Sequence, residues 1–226
     1  MKVAIIPARG GSKRIKRKNI KIFCGKPMIY WTIKKIKESR IFDKIIVTSD
    51  DKRILNYVKN KVDIIINRPK ELSNDLAPTQ PVIMHAIRFL NKIGIKIKIV
   101  CCIYPCNPFL KTLDLKKSLN LLKKNNYLKF IFPITKYSHP IQRALSVNKK
   151  NELYLREKDK ELKRTQDLKE FYFDVGQFYF GTTKNWLRNK KIHENAVGHI
   201  IPSWRSVDID NIEDWKKAEL LFNKLV

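Results

Sequence analysis

Between Arg9 and Lys18 the chain places six cations, two adjacent glycines and a serine, in the order Arg9-Gly10-Gly11-Ser12-Lys13-Arg14 and then Lys16-Arg17-Lys18. Residues of these types suit an anion with many oxygens. Gly10 and Gly11 let backbone N–H groups come close to it, and Ser12 adds a hydroxyl donor. Arg9 can grip two oxygens with its planar fork, while Lys13 and Lys18 act as compact point charges. A triphosphate matches such a cluster. A solvated basic loop is the plain alternative, but it would not need adjacent glycines. Arg14 and Arg17 are further cations to which the pattern gives no separate role.

A second group lies near the end of the chain. Asp208 and Asp210 alternate about Ile209, so on a strand end both carboxylates point to one face. Two hard oxygen ligands side by side suit Mg2+, which takes one or two carboxylates together with substrate phosphates. Asp210 also stands three residues before Glu213 at a helix start, the spacing of a capping box. The spacing alone leaves both roles of Asp210 open.

The elements that must position these groups follow from hydrophobic patterning. Short apolar runs alternate with amphipathic stretches, as in an α/β sheet carrying helices on its faces. Strands are expected over 3–6, 44–48, 63–66, 97–104, 130–135, 177–180 and 199–202, and helices over 27–38, 52–59, 79–92, 113–123, 183–189 and 212–224. The basic loop directly follows the first strand, at the carboxyl edge where open α/β sheets bind ligands. It is neither a Walker loop, since Gly25-Lys26 runs into Pro27, nor a dinucleotide fingerprint, since Gly10-Gly11 lacks the GxGxxG spacing.

The 226 residues read as a single domain, 1–226, with a polar arm inserted at about 138–172. Within the arm, Asn148-Lys149-Lys150-Asn151 is the turn of a hairpin. An insertion of that length serves as a lid or an oligomer contact. No apolar stretch is long enough to span a bilayer, and no signal peptide opens the chain, so the expected location is the cytoplasm. Cys24, Cys101, Cys102 and Cys106 show no metal-site spacing and read as reduced thiols.

The net charge of +27 points first toward nucleic acid. Yet lysines outnumber arginines threefold, are dispersed over nearly every segment, and accompany abundant Ile and Asn. That is the mixture an AT-rich genome accumulates, so nucleic acid is not an expected partner and a basic nucleic-acid-binding protein is only a remote alternative.

The stretch IIPARGGSKRIKRKNI, followed by GKPMI, resembles the nucleotide-binding motif of the acylneuraminate cytidylyltransferases, the CMP-sialic acid synthetase family. The likeness continues through TSDD (48–51), RPKELSND (68–75) and SVDIDNIEDW (206–215), covering nearly the whole chain. It implies a Rossmann-like fold with a mixed, mainly parallel sheet, helices on both faces, and a homodimer supported by the arm. It also implies that CTP binds under the first loop, with Arg9, Ser12, Lys13, Lys18 and Asn19 on the triphosphate and ribose and Arg68 near the cytosine. Asp208 and Asp210 become a Mg2+ pair, and Arg9, Lys18 and Asp208 carry the catalysis.

At the acceptor end, IYPCNPF (103–109) and DVGQFYFG (174–181) stand where sialic acid synthetases have LQPTSP and NGAIY-like segments. With HPIQRAL (139–145) and RTQDL (164–168), they resemble the pseudaminic acid branch, which serves bacterial flagellin glycosylation. Tyr104 stands where relatives have a glutamine that contacts the acceptor. Arg143 and Arg164 then become partners of the acceptor carboxylate, with Gln177, Phe178 and Tyr179 shaping the pocket floor; a core strand with a basic arm is the structural alternative. His85 reads as structural, and neither His139 nor His199 is established as a base. The implied reaction is attack of a nonulosonic acid's anomeric hydroxyl on the α-phosphorus of CTP, releasing pyrophosphate. Siblings acting on sialic, legionaminic or 3-deoxy-octulosonic acid are the near alternative.

Overall fold

A computed structural model describes residues 1–74, 77–188 and 191–225 of the 226. In chain order the elements are β1 (Lys2–Pro7), β2 (Ile22–Phe23), β3 (Lys26–Pro27), α1 (Met28–Ser39), β4 (Lys44–Ser49), α2 (Lys52–Val58), β5 (Ile64–Asn67), α3 (Thr79–Lys92), β6 (Ile99–Ile103), α4 (Thr112–Lys124), β7 (Phe130–Lys136), β8 (Leu145–Val147), β9 (Leu153–Leu155), β10 (Tyr172–Asp174), β11 (Phe178–Thr182), α5 (Thr183–Leu187), β12 (Ala196–Ile200) and α6 (Ile212–Leu225).

The main sheet runs β10-β7-β11-β6-β1-β4-β5, with β12 beside β7. The pairs β1–β4, β1–β6, β4–β5 and β7–β12 are parallel, and those of β11 and β10 are antiparallel. The central strands Lys2–Pro7 and Ile99–Ile103 are nearly continuous apolar runs because helices cover both of their faces. On one face Ala4, Ile6, Val47 and Cys101 meet Ile33 of α1, Val58 of α2 and Leu119 of α4. On the other, Val3, Ile5 and Cys102 meet Ile83 and Ile87 of α3 and Trp186 of α5. A third cluster clamps α6, through Trp215 and Phe222, onto Ile15 and Phe23 beside the basic loop.

The mixed, mainly parallel Rossmann-like sheet with helices on both faces is therefore present. All four cysteines are free. Most boundaries shift by a residue or two from the sequence reading, and three of the differences bear on the site and the arm. The strand expected at 199–202 begins at Ala196, where Gly198 lets the Ile134 side chain lie against its backbone. The helix expected at 183–189 ends at Leu187, with Asn189 outside the described residues. Tyr172, read as the end of the arm, instead opens β10, which pairs antiparallel with β7 and returns the chain to the sheet.

The arm leaves and re-enters where the Tyr137 N–H donates to the Phe171 carbonyl at 3.0 Å. Its hairpin pairs β8 with β9 about the turn at Asn148, whose side-chain oxygen accepts from the Lys150 and Glu152 N–H groups. Among the described residues, no helix is long and apolar enough to cross a membrane.

Candidate active site

A cleft of about 310 Å3 opens at the carboxyl edge of the parallel strands. The basic loop after β1 forms one wall. Arg68 after β5, Thr79 at the start of α3 and Tyr104 to Cys106 after β6 form the back. Gly176, Asp208, Ile209 and Asp210 complete the lining. This is where the sheet topology requires a ligand to bind, because the loops that leave adjacent parallel strands diverge there.

Arg9, Ser12, Lys13, Arg14, Lys18 and Asn19 all line the cleft. Two of the expected contacts are already engaged. Asn19 is buried and donates to the Arg9 carbonyl at 2.9 Å, which fixes the shape of the loop. The Gly10 N–H donates to Asp50 Oδ1 at 3.0 Å. Glycine is required at position 10 by crowding, since a Cβ there would stand 2.6 Å from the Asp51 Cβ. At Gly11 a Cβ would meet nothing within 4 Å, and neither glycine, though both were expected on the nucleotide, lines the cleft.

The strap joining β12 to α6, residues 201–211, carries both aspartates across the mouth of the cleft. It is irregular chain and not a strand, yet the alternation holds: Ile209 is buried against Ile15 and Trp215 while Asp208 and Asp210 line the cleft. Arg14 grips Asp210 bidentately at 2.8 and 2.9 Å. Lys18 donates to the Ile209 carbonyl at 2.6 Å and stands 3.7 Å from Asp210. The helix cap belongs to Asn211, which accepts from the Asp214 N–H while Asp214 accepts from the Asn211 N–H. The capping-box alternative for Asp210 therefore fails, and its carboxylate serves the cleft. Burial, reinforced by the charge of Asp210, raises the Asp208 carboxyl above the ordinary value against the pull of Lys18 and Arg14. Two carboxylates that repel each other beside a phosphate-sized basic loop form a donor set that suits a hard divalent cation completed by phosphate and water oxygens.

Arg68 is buried behind the cleft. Its guanidinium lies 3.5 Å from Asp50 and donates through Nε to Ser73 Oγ at 3.1 Å. Desolvation lowers its pKa, opposed by Asp50. Asp50 thus ties Arg68 to Gly10, a link that no local sequence signal announces. Tyr104 shares a hydrogen bond with Thr79, and burial pushes its hydroxyl up to about 12. Burial likewise pushes the Cys106 thiol to about 12, so it is not a thiolate nucleophile at neutral pH.

Not every expected acceptor residue gathers here. Tyr179 packs edge-on against Tyr104 at 5.9 Å, with its hydroxyl donating to Asp174 at 2.8 Å. Phe178, one residue earlier on β11, faces the opposite side and is wholly buried among the α1 and α4 contacts, so it belongs to the core and not to a pocket floor. Gln177 is buried and donates to the Arg205 carbonyl at 2.8 Å. Arg143 and Arg164 stand on the arm, facing Thr165 and Asp167, and neither lines the cleft of this chain. His199 pairs with Asp114 in the interior.

Nearly the whole chain matches known cytidylyltransferases. The cytidylyltransferase family model covers residues 3–223. The pseudaminic acid cytidylyltransferase of Campylobacter jejuni subsp. jejuni serotype O:2 is 38% identical over 222 residues, covering 97% of this chain and 95% of that protein. The CMP-N,N'-diacetyllegionaminic acid synthase of Legionella pneumophila is 24% identical over the same length. A solved CMP:2-keto-3-deoxy-manno-octonic acid synthetase complexed with CTP superposes with a TM-score of 0.68 over 100% of both chains at 17% identity, a likeness of fold. Fold and site together define a nucleotidyltransferase, and the chain belongs to the cytidylyltransferase family.

The raised carboxyl of Asp208 carries a stability consequence. A group whose folded pKa lies above its unfolded value binds more protons in the folded state, so stability falls as pH rises between the two values. Asp208→Asn removes this cost. In the protein without ligand, the variant should melt higher than wild type at pH 7, and the two should converge below about pH 3, where the carboxyl is protonated in both states. Thermal melts at the two pH values test it; a lower midpoint for the variant at pH 7 would contradict it.

Proposed function

We propose that this cytidylyltransferase transfers CMP from CTP to the anomeric hydroxyl of a nonulosonic acid, and that the acid is pseudaminic acid. The observation that carries the reading is the 38% identity to the Campylobacter jejuni pseudaminic acid cytidylyltransferase over almost the full length of both chains. The anomeric oxygen forms a bond to the α-phosphorus of CTP, the α–β phosphoanhydride bond breaks, pyrophosphate leaves and the hydroxyl proton passes to solvent. The resulting CMP-sugar is a donor for glycosylation of flagellin or another surface glycan. Use of the cellular CTP pool places the reaction in the cytoplasm.

The residues divide the work by type. Arg9, Ser12, Lys13 and Lys18 hold the triphosphate against the loop, and Arg14 joins them by exchanging its carboxylate partner for phosphate oxygens. Arg68 and Asp50 back the nucleoside side. Asp208 and Asp210 would hold Mg2+, which would supply charge neutralisation at the phosphates. Positioning and electrostatics supply most of the acceleration, as in phosphoryl transfer generally. On the acceptor side, Tyr104 is a neutral hydroxyl pinned by Thr79 and backed by Tyr179.

The arm supports a homodimer. Leu145, Val147, Leu153, Tyr154 and Leu162 are exposed on it, and C2 pairing of such a surface is the commonest way to cover it. Light scattering at micromolar concentration should return twice the chain mass, and a monomer would count against the pairing.

Pyrophosphate release should be measured with each of four nucleotides against pseudaminic, sialic, legionaminic and 3-deoxy-octulosonic acids. Turnover should be highest with CTP and pseudaminic acid. UTP should be rejected strongly, because a site that hydrogen-bonds the cytosine amino edge leaves groups unpaired against uracil. A preference for legionaminic or sialic acid would move the chain to a sibling specificity, and equal use of CTP and UTP would overturn the cytidylyl assignment.

A further inference from the structure

Asp114, His199 and Arg205 come from three separate elements and meet in the interior, with only 4, 9 and 9% of their surfaces exposed. Asp114 lies in the first turn of α4, His199 on β12, and Arg205 at the end of a 3₁₀ turn, Ser203–Arg205, within the strap. Both guanidinium nitrogens of Arg205 reach the Asp114 carboxylate, and His199 Nε2 stands 3.2 Å from the same group. Burial opposes ionisation of Asp114, but the hydrogen bonds from His199 and Arg205 prevail and hold its carboxyl below the ordinary value. None of the three residues lines the cleft.

Buried ions are costly to maintain, and an apolar trio of similar volume would often serve stability as well or better. What an apolar trio cannot do is fix direction. The Arg205 fork sets the orientation of the turn, while the Arg205 carbonyl accepts from Gln177, the neighbour of the cleft-lining Gly176. Three residues further on, the chain delivers Asp208 to the cleft lining. Hydrogen bonds from the Arg205, Ser206 and Asp210 N–H groups to Pro202, Ser203 and Asp214 complete the path.

We infer that Asp114 and Arg205, with His199, are positioning residues that set the strap so that Asp208 and Asp210 line the cleft while Gln177 is held beside Gly176. They touch neither substrate, and they act by geometry. This deepens the proposed cytidylyl transfer, and only its kinetic arm rests on that reading.

The test uses the full-length chain as Arg205→Met, Asp114→Asn and the double variant, followed by hydrogen exchange and steady-state kinetics. Asp114→Asn keeps volume and two hydrogen-bonding atoms, so it remains folded if Arg205→Met does not. Amides of residues 203–211 should exchange at least about tenfold faster in each variant, while those of β1 and β6 stay protected. The turnover number for pyrophosphate release should fall at least about tenfold, and the KM for CTP should rise, because the same strap carries the carboxylates beside the triphosphate. The double variant should be no worse than the weaker single, because the two residues act as one unit. Arg205→Lys, which keeps the charge without the fork, should lie between Arg205→Met and wild type in both readouts. Unchanged exchange over residues 203–211 would overturn the inference. So would uniform acceleration across β1, β6 and the strap with turnover falling only in proportion to the folded fraction. The exchange arm needs no substrate and holds whether or not the acceptor is pseudaminic acid.

Discussion

The site depends on one closure: a strap near the end of the chain laid against a loop near its beginning. Two kinds of contact make it, and their magnitudes separate their roles. Burying Ile209 against Ile15, Phe23 and Trp215 is worth about 1.5–3 kcal/mol, as for any fully buried aliphatic side chain. The Arg14–Asp210 pair, with Arg14 68% exposed, is worth about 0–1 kcal/mol. The apolar contact therefore sets where the strap sits. The ion pair is weak enough to be exchanged when an anion with several charges enters, and so it belongs to function more than to stability.

The same division runs through the cleft. Groups that hold shape are buried or half-buried and already satisfied: Asn19 on the Arg9 carbonyl, Asp50 between Gly10 and Arg68, and Tyr179 on Asp174. Groups aimed at a ligand are left in partial conflict, Asp208 beside Asp210 above all. A polyanion together with a divalent cation relieves both the crowding of cations on the loop and the crowding of carboxylates on the strap. Neither one alone does so.

Much of this was legible in the sequence because it was local. The loop announced itself by cations and glycines crowded after an apolar run, and the two aspartates by their alternation about Ile209. The apolar runs located the central strands to within a residue or two. What the sequence hid was non-local or depended on which way a side chain faces. Gly10 reads as a phosphate donor until Asp50, forty residues away, takes its N–H. Phe178 and Tyr179 read as equal neighbours until pairing with β6 sends one to each face. The start of β12 three residues earlier than expected depends on a distant contact, the fit of Gly198 beside Ile134. Asp210 kept two roles open because Glu213 supplied the right spacing, and only the coordinates show Asn211 and Asp214 holding the cap. The Asp114–Arg205 pair, separated by 91 positions, left no local trace.

The central claim is that the basic loop and the paired carboxylates form one site for a metal–nucleotide complex. Calorimetric titration with CTP, in the presence and absence of Mg2+, tests it most directly. If the strap carries the cation, then without it Asp208 and Asp210 repel the triphosphate, and Asp210 keeps Arg14 engaged. Addition of Mg2+ should therefore tighten CTP binding at least about tenfold in wild type, about 1.4 kcal/mol, and much less in Asp208→Asn. Equal affinity for CTP with and without Mg2+ in the wild-type protein would contradict the account.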